Sequence, residues 1–168
     1  MKIRKSRMED ASSLAALSIE VWVGTYLRKG VSKFFADYAL SEFTAAKFEA
    51  VIESDHDIIL VTDNSDGIDA YIRIAFDSEA PVACISMTEI KTFYVQPRHQ
   101  AKGIGKRLLG AALGECVERG ITSLWLTVNS ENRSAIDFYE AQGFSKIGET
   151  AFRINDASYP NEVMHKAL

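Results

Sequence analysis

Apolar residues recur along this chain first at helical and then at strand spacing. Residues 2 to 5 read as a short opening strand. Asp10 can cap a helix whose apolar positions are Leu14, Leu17, Val21 and Trp22. Gly24 to Gly30 interrupts that helix. Two further helices are predicted, Ser32 to Leu40 with Phe34, Phe35 and Tyr38, and one from about Thr44 with Phe48, Val51 and Ile52. The period then drops to two. Asp57 to Thr62 and Ile68 to Phe76 flank Asn64-Ser65-Asp66-Gly67, the pattern of a hairpin. After a turn marked by Pro81, Cys84 to Val95 reads as a long strand that Pro97 ends.

The helical period returns with Ile104, Leu108, Ala112 and Cys116, with Leu109 and Val117 beside them, and stops at Gly120. Ser123 to Val128 is a strand, and Asn132 to Gln142 a helix closed by Gly143. Two strands, about 144–154 and 162–167, finish the chain around a loop holding Asn155, Asp156 and Pro160. The predicted order is β-α-α-α-β-β-β-α-β-α-β-β, an α/β sheet of mixed direction. No repeat, low-complexity stretch or linker divides it, so residues 1–168 are expected to form a single domain.

Composition narrows the function classes. With 47% hydrophobic and 25% charged residues, the 168-residue chain has the make-up of a soluble globular protein. At that size roughly 70% of the unfolded chain's surface is buried on folding, enough for a core without metals or disulfides. The net charge of −4 argues against a nucleic-acid surface. Cys84 and Cys116 read as buried free thiols, and the three histidines show no zinc spacing, so no metal site is expected. The start of the chain lacks the apolar core of a signal peptide, and no run reaches membrane-spanning length. A cytoplasmic location away from membranes is the expectation.

Two segments carry the candidate chemistry. Gln100-Ala101-Lys102-Gly103-Ile104-Gly105-Lys106 follows the apolar Thr92-Phe93-Tyr94-Val95 and opens a helix. A strand, a glycine turn and a helix start present backbone N–H groups to a phosphate. A dinucleotide fingerprint would need Gly or Ala where Leu108 stands. A P-loop would need Gly at Gln100 and Ser or Thr at Arg107. Both motifs fail. What remains is Gln-x-x-Gly-x-Gly, which is either a turn with glycines for geometry alone or an anion cradle. Lys102, Lys106 and Arg107 favour the cradle, because a helix start without a ligand more often carries acids. The second segment, Asn132-x-x-Ala135-x-x-Phe138-Tyr139-x-x-x-Gly143-Phe144, puts Asn132 and Tyr139 two helical turns apart on one face.

With both segments at this separation, the chain resembles the GNAT superfamily of acyl-CoA-dependent N-acetyltransferases. A narrower likeness is to the PaiA-type polyamine N-acetyltransferases, carried by Ser18-Ile19-Glu20 and by the ending Ala151-Phe152-Arg153-Ile154-Asn155-Asp156 … Val163-Met164-His165-Lys166-Ala167-Leu168. That group usually has Gly where this chain has Asn155, and both residues accept a left-handed turn. The resemblance implies a mixed, mostly antiparallel sheet of about seven strands flanked by helices and splayed at the strand ending in Val95. It also implies acetyl-CoA as donor and CoA as product, with Gln100, Ala101, Lys102, Gly103, Ile104, Gly105 and Lys106 around the pyrophosphate. Backbone groups of Phe93, Tyr94 and Val95 would pair with the pantetheine arm, and Asn132 would hold that arm. A homodimer is a frequent assembly in that superfamily.

Acetyl transfer to an amine needs a base and an acid. An amine of pKa around 10.4 is only about one part in 2,500 neutral at pH 7, and the departing thiolate needs a proton. Glu89, six residues before Val95, is the candidate base. Its other reading is a solvated strand carboxylate paired with Lys91. Tyr139 is the candidate acid by similarity to the family, its other reading being core packing. Asn132 can equally be an N-cap. Cys116 lies on the apolar helix face and makes a poor thiolate, so direct transfer is expected. The expected acceptor is a primary amine of a small molecule, polyamine first, shaped by the segment with Trp22, Tyr26, Phe34, Phe35, Tyr38 and Phe43 and the acids Asp37, Glu42, Glu49 and Glu53. The rivals are a protein or peptide N-acetyltransferase and a CoA-binding regulatory module without chemistry.

Overall fold

The computed structural model of the chain describes residues 2–27, 30–84, 86–154 and 157–168. Along them run β1 (Lys2–Lys5), α1 (Ala11–Tyr26), α2 (Lys33–Glu42), α3 (Ala45–Glu53), β2 (Asp57–Asp63), β3 (Ile68–Ala75), β4 (Glu89–Val95), α4 (Ile104–Glu118), β5 (Ser123–Asn129), α5 (Arg133–Ala141), β6 (Ser145–Ile154) and β7 (Ala157–Ala167). The strands form a seven-stranded sheet in the order β1-β2-β3-β4-β5-β7-β6. β4 and β5 pair in parallel, whereas β1–β2, β5–β7 and β6–β7 pair antiparallel. This is the mixed, mostly antiparallel sheet flanked by helices that the sequence led us to expect. The chain divides into two compact units, one of Met1–Arg73 and Thr92–Ala112, the other of Ile74–Lys91 and Leu113–Leu168.

In the first unit the helical spacing of α1 does what it predicted. Leu14, Leu17 and Val21 join Phe48, Ile59, Val61 and Tyr71 in one buried cluster. The helix also runs through Gly24 to Tyr26, past the expected break. A mid-helix glycine costs about 1 kcal/mol, and the Tyr26 ring, 5.1 Å from that of Trp22 one turn back, supplies a contact that offsets it. Arg28 and Lys29 lie outside the described residues.

Asp10 does not cap α1 with its side chain. Its carboxylate instead accepts from Arg7 N–H at 2.7 Å and takes the Arg4 guanidinium as a fork at 2.7 and 2.9 Å. The Arg4 bonds hold the Asp10 carboxyl below the usual range. Ser32 and Thr44 cap α2 and α3 as their residue types suggest.

In the second unit the expected strand from Cys84 shortens to one starting at Glu89. The hydroxyl of Ser86 donates to the Ser123 carbonyl at 2.7 Å and accepts from Thr88 N–H at 3.3 Å, and these side-chain bonds replace a strand ladder. Ile85, inside that stretch, lies outside the described residues.

The expected terminal loop is also shorter, because β7 already begins at Ala157 and carries Pro160 opposite Ala151 of β6. Pro160 lies one residue beyond the end of the β5–β7 register at Asn129–Asn161, where its missing N–H interrupts no ladder. Asn155 and Asp156, which the narrower family likeness uses, lie outside the described residues. β6 carries a bulge between Lys146 and Gly148, and a Cβ on Gly148 would come within 2.8 Å of Val82. A larger residue there would have to push the Val82 side chain aside.

On α4, Ile104, Leu108, Leu109, Ala112 and Cys116 are buried as the period predicts, while Val117 is exposed. Both cysteines are free, Cys116 buried and Cys84 half-buried.

Candidate active site

In the first unit the end of β4 leads through a short turn, Pro97–His99, into the cradle. Ala101 and Gly103 both take left-handed conformations, with φ of +58 and +77. A side chain at Gly103 would meet nothing within 4 Å, so glycine is needed there for its backbone angle and not for space. The opening bond of α4 runs from Arg107 N–H to Gly103 C=O at 3.2 Å. The N–H groups of Ile104, Gly105 and Lys106 precede it and have no acceptor inside the helix. Gln100, Ala101, Lys102, Gly103, Lys106 and Arg107 are exposed, Gly105 half-buried and Ile104 buried. The arrangement is a set of backbone donors at the positive end of a helix dipole, with cationic side chains beside it.

This cradle is tied down from its N-terminal side. Gln96 N–H donates to the Asp69 carbonyl at 2.9 Å, and the Gln96 amide donates to Glu20 at 2.9 Å, a carboxylate that Arg98 also reaches at 3.3 Å. Asp69 is buried. It accepts from Thr62 Oγ1 and from Asn64 Nδ2 at 3.1 Å, and His99 Nδ1 stands 3.3 Å from its Oδ2, off the hydrogen-bond direction.

The sequence reading missed Asp69 in this role. The only signal was a charged residue inside an apolar strand run. Gln100 donates its side-chain N–H to the Val95 carbonyl at 3.1 Å, joining the cradle to the strand before it. Phe93, Tyr94 and Val95 are half-buried, and the Tyr94 ring packs edge-on against Tyr71 at 5.7 Å.

In the second unit Glu89 is buried, not solvated, with 6% of its surface exposed. Its Oε2 accepts from Ser78 Oγ at 2.6 Å and from Lys91 Nζ at 3.0 Å. The Lys91 bond shows the two side chains on one face, as strand alternation requires without a bulge between them. Among the described residues, the β4–β5 register covers Glu89–Trp125 and Ile90–Leu126.

Tyr139 is buried on α5, with its ring 5.5 Å from Phe138 and 5.6 Å from Phe144. Burial pushes its hydroxyl well above the ordinary phenol range, which keeps it protonated through the neutral range. Asn132 caps α5, its Oδ1 accepting from Ala135 N–H at 3.2 Å. Gly143, with φ of +84, ends that helix, and Phe144 N–H returns to the Tyr139 carbonyl at 3.0 Å. The Cys116 thiol is pushed up to about 11 by burial, so it is no nucleophile at neutral pH. Among the described residues no cluster of His, Cys, Asp and Glu could hold a metal ion.

The model of the acetyltransferase (GNAT) family matches residues 25–144, which include the cradle, Glu89, Asn132 and Tyr139. The chain belongs to the GNAT family. It is 30% identical over 83 residues to the ribosomal protein bS18-alanine N-acetyltransferase of Escherichia coli, a match covering 45% of this chain and 56% of that protein. The chain thus spans only about half the length of such curated relatives. An uncharacterised N-acetyltransferase of Mycobacterium bovis is 23% identical over 161 residues, 96% of this chain and 99% of the relative. The fold is similar to that of the PaiA N-acetyltransferase of Thermoplasma acidophilum, solved with coenzyme A, at a TM-score of 0.76, 20% identity and 99% and 98% coverage of the two chains.

The aromatic residues between α1 and α3 turn out to pack on one another. Trp22 is almost fully buried, with the rings of Phe35, Tyr38 and Phe43 at 5.8, 5.2 and 6.3 Å. Phe48 is core. Asp37 pairs with Lys33, and Glu42 with Lys47 at 2.8 Å, in exposed ion pairs. Such pairs are worth little and are readily displaced by another cation.

Proposed function

We propose that the chain is an acetyl-CoA-dependent N-acetyltransferase that acts on a primary amine of a small molecule, polyamine first. The observation that carries the donor is the cradle of Ala101 and Gly103 opening α4, in a chain that belongs to the GNAT family. Gln100, Ala101, Lys102, Gly103, Ile104, Gly105 and Lys106 hold the pyrophosphate. Backbone groups of Phe93, Tyr94 and Val95 and the side chain of Asn132 take the pantetheine arm, the Asn132 amide combining this with its cap.

The transfer is direct. Glu89 removes a proton from the acceptor ammonium, and the freed nitrogen pair bonds to the acetyl carbonyl carbon. The carbon–sulfur bond breaks, the sulfur leaves with a proton from Tyr139, and the second proton shed by the new amide nitrogen restores that phenol, giving the N-acetyl amine and CoA with the first proton left on Glu89. The high thiol pKa of Cys116 supports transfer without an acyl-enzyme. We read residues 1–168 as one N-acetyltransferase domain acting in the cytoplasm, alone or as a homodimer.

The polyamine reading rests on the sequence likeness to the PaiA-type enzymes at Ser18-Ile19-Glu20 and at the chain's ending. It draws no support from Trp22, whose ring is covered by its neighbours. A second reading, an N-terminal peptide amine as acceptor, is favoured by the 30% identity to the bS18-alanine enzyme. A panel of spermidine, spermine, aminoglycosides, amino acids and alanyl peptides, followed by release of free thiol, separates the two. Turnover of spermidine and spermine with silent peptides is the expected outcome. Tight CoA binding with no turnover of any amine identifies a regulatory module instead.

A further inference from the structure

We propose that Ser78 is a positioning residue for the acetyl transfer, its hydroxyl setting the carboxylate of Glu89. The inference rests on the reading of Glu89 as the general base. Ser78 lies between β3 and β4, directly after Asp77, whose φ of +58 turns the chain. Its own N–H donates to the Met87 carbonyl at 2.8 Å, and its carbonyl accepts from the Trp125 indole N–H at 3.1 Å. With both backbone groups engaged, the place of the hydroxyl is set by the fold and not by Glu89. The hydroxyl donates to Glu89 Oε2 at 2.6 Å.

Glu89 and Trp125 are register partners in the parallel β4–β5 pair, so their side chains leave the sheet on the same face. Ser78 bonds to both of them. Lys91 reaches the same oxygen, but 47% of its side chain is exposed and its long stem allows many directions. The short, anchored serine therefore supplies the direction and the lysine the charge. Two donors on Oε2 fix the plane of the carboxylate and aim Oε1, which neither of them engages.

The test compares the unmodified chain with Ser78→Ala, Ser78→Thr and Glu89→Gln, using spermidine and an alanyl peptide as acceptors. Ser78→Ala is expected to lower kcat about 5- to 30-fold while the KM for acetyl-CoA stays within about twofold. Ser78→Thr, which keeps the hydroxyl, should restore the rate.

A Ser78→Ala kcat equal to that of the unmodified chain, with Glu89→Gln inactive, overturns the role of Ser78 alone. Equal losses in Ser78→Ala and Ser78→Thr with a lowered melting temperature make Ser78 a structural residue and also overturn it. Full activity in Glu89→Gln, or no turnover of either amine by the unmodified chain, removes the base and the serine's role together.

Discussion

Ahead of α4, the groups offered to an anion are backbone N–H groups on largely exposed residues, placed by left-handed turns at Ala101 and Gly103. At the start of β4, the group proposed as the base is a side-chain carboxylate almost fully buried and held by Ser78 and Lys91. A backbone site needs only local conformational permission, so a few neighbouring residues encode it. A buried carboxylate needs partners to offset its desolvation, and the nearest hydroxyl comes from eleven positions earlier in the chain. The first kind of site tolerates side-chain change and punishes backbone change; the second does the reverse.

The sharpest way to break that contrast is Glu89→Gln, which keeps shape and hydrogen bonding but cannot take a proton. It should lower kcat about 10²- to 10⁴-fold with acetyl-CoA binding unchanged in calorimetry. A mere rise in KM would put Glu89 with the binding residues.

Tyr139→Phe comes next, with an expected loss of about 10- to 100-fold in kcat. Because burial holds that hydroxyl protonated above the ordinary phenol range, the loss should be uniform between about pH 6 and 9. A basic limb in this interval that disappears in the variant would contradict the assignment.

Lys102→Ala with Lys106→Ala should raise the KM for acetyl-CoA about 5- to 20-fold and leave kcat nearly intact, an effect that fades with added salt. Unchanged KM would mean that the exposed lysines do not face the pyrophosphate. The smallest effect is expected from Ala101→Gly. It relieves a left-handed alanine, worth about 1–2 kcal/mol, against the chain entropy that glycine adds on unfolding, about 0.4–1 kcal/mol. A net gain of up to about 1 kcal/mol in chemical denaturation, with turnover unchanged, fits a cradle made of backbone. Lost cofactor binding would show that the alanine side chain matters.

Much of the fold was readable from spacing. α1 to α5 and the seven strands occur in the expected order because each buries a periodic face. Boundaries moved where packing or side-chain bonds outvoted local preference. Tyr26 on Trp22 carried α1 past Gly24, and Ser86 kept Cys84 to Thr88 out of a ladder. Asp10, expected to cap α1, was claimed by Arg4 from β1.

The glycine turn that opens α4 was legible, and the cap role of Asn132 was too, since both depend on neighbours within a few positions. The environment of Glu89 was not. Alternation put Lys91 beside it, but nothing local announced burial or a serine held by Trp125, whose bond spans 47 positions.

By itself, then, the sequence determined the family, the order of elements and the glycine turn that opens α4, because backbone angles and periodic burial are written in short stretches of chain. Only the tertiary structure decided that Glu89 is buried and oriented, that Asp69 and Glu20 anchor the approach to the cradle, and that Trp22 is enclosed by other rings. Those outcomes depend on desolvation and on partners brought together from distant positions, which no local pattern of residues specifies.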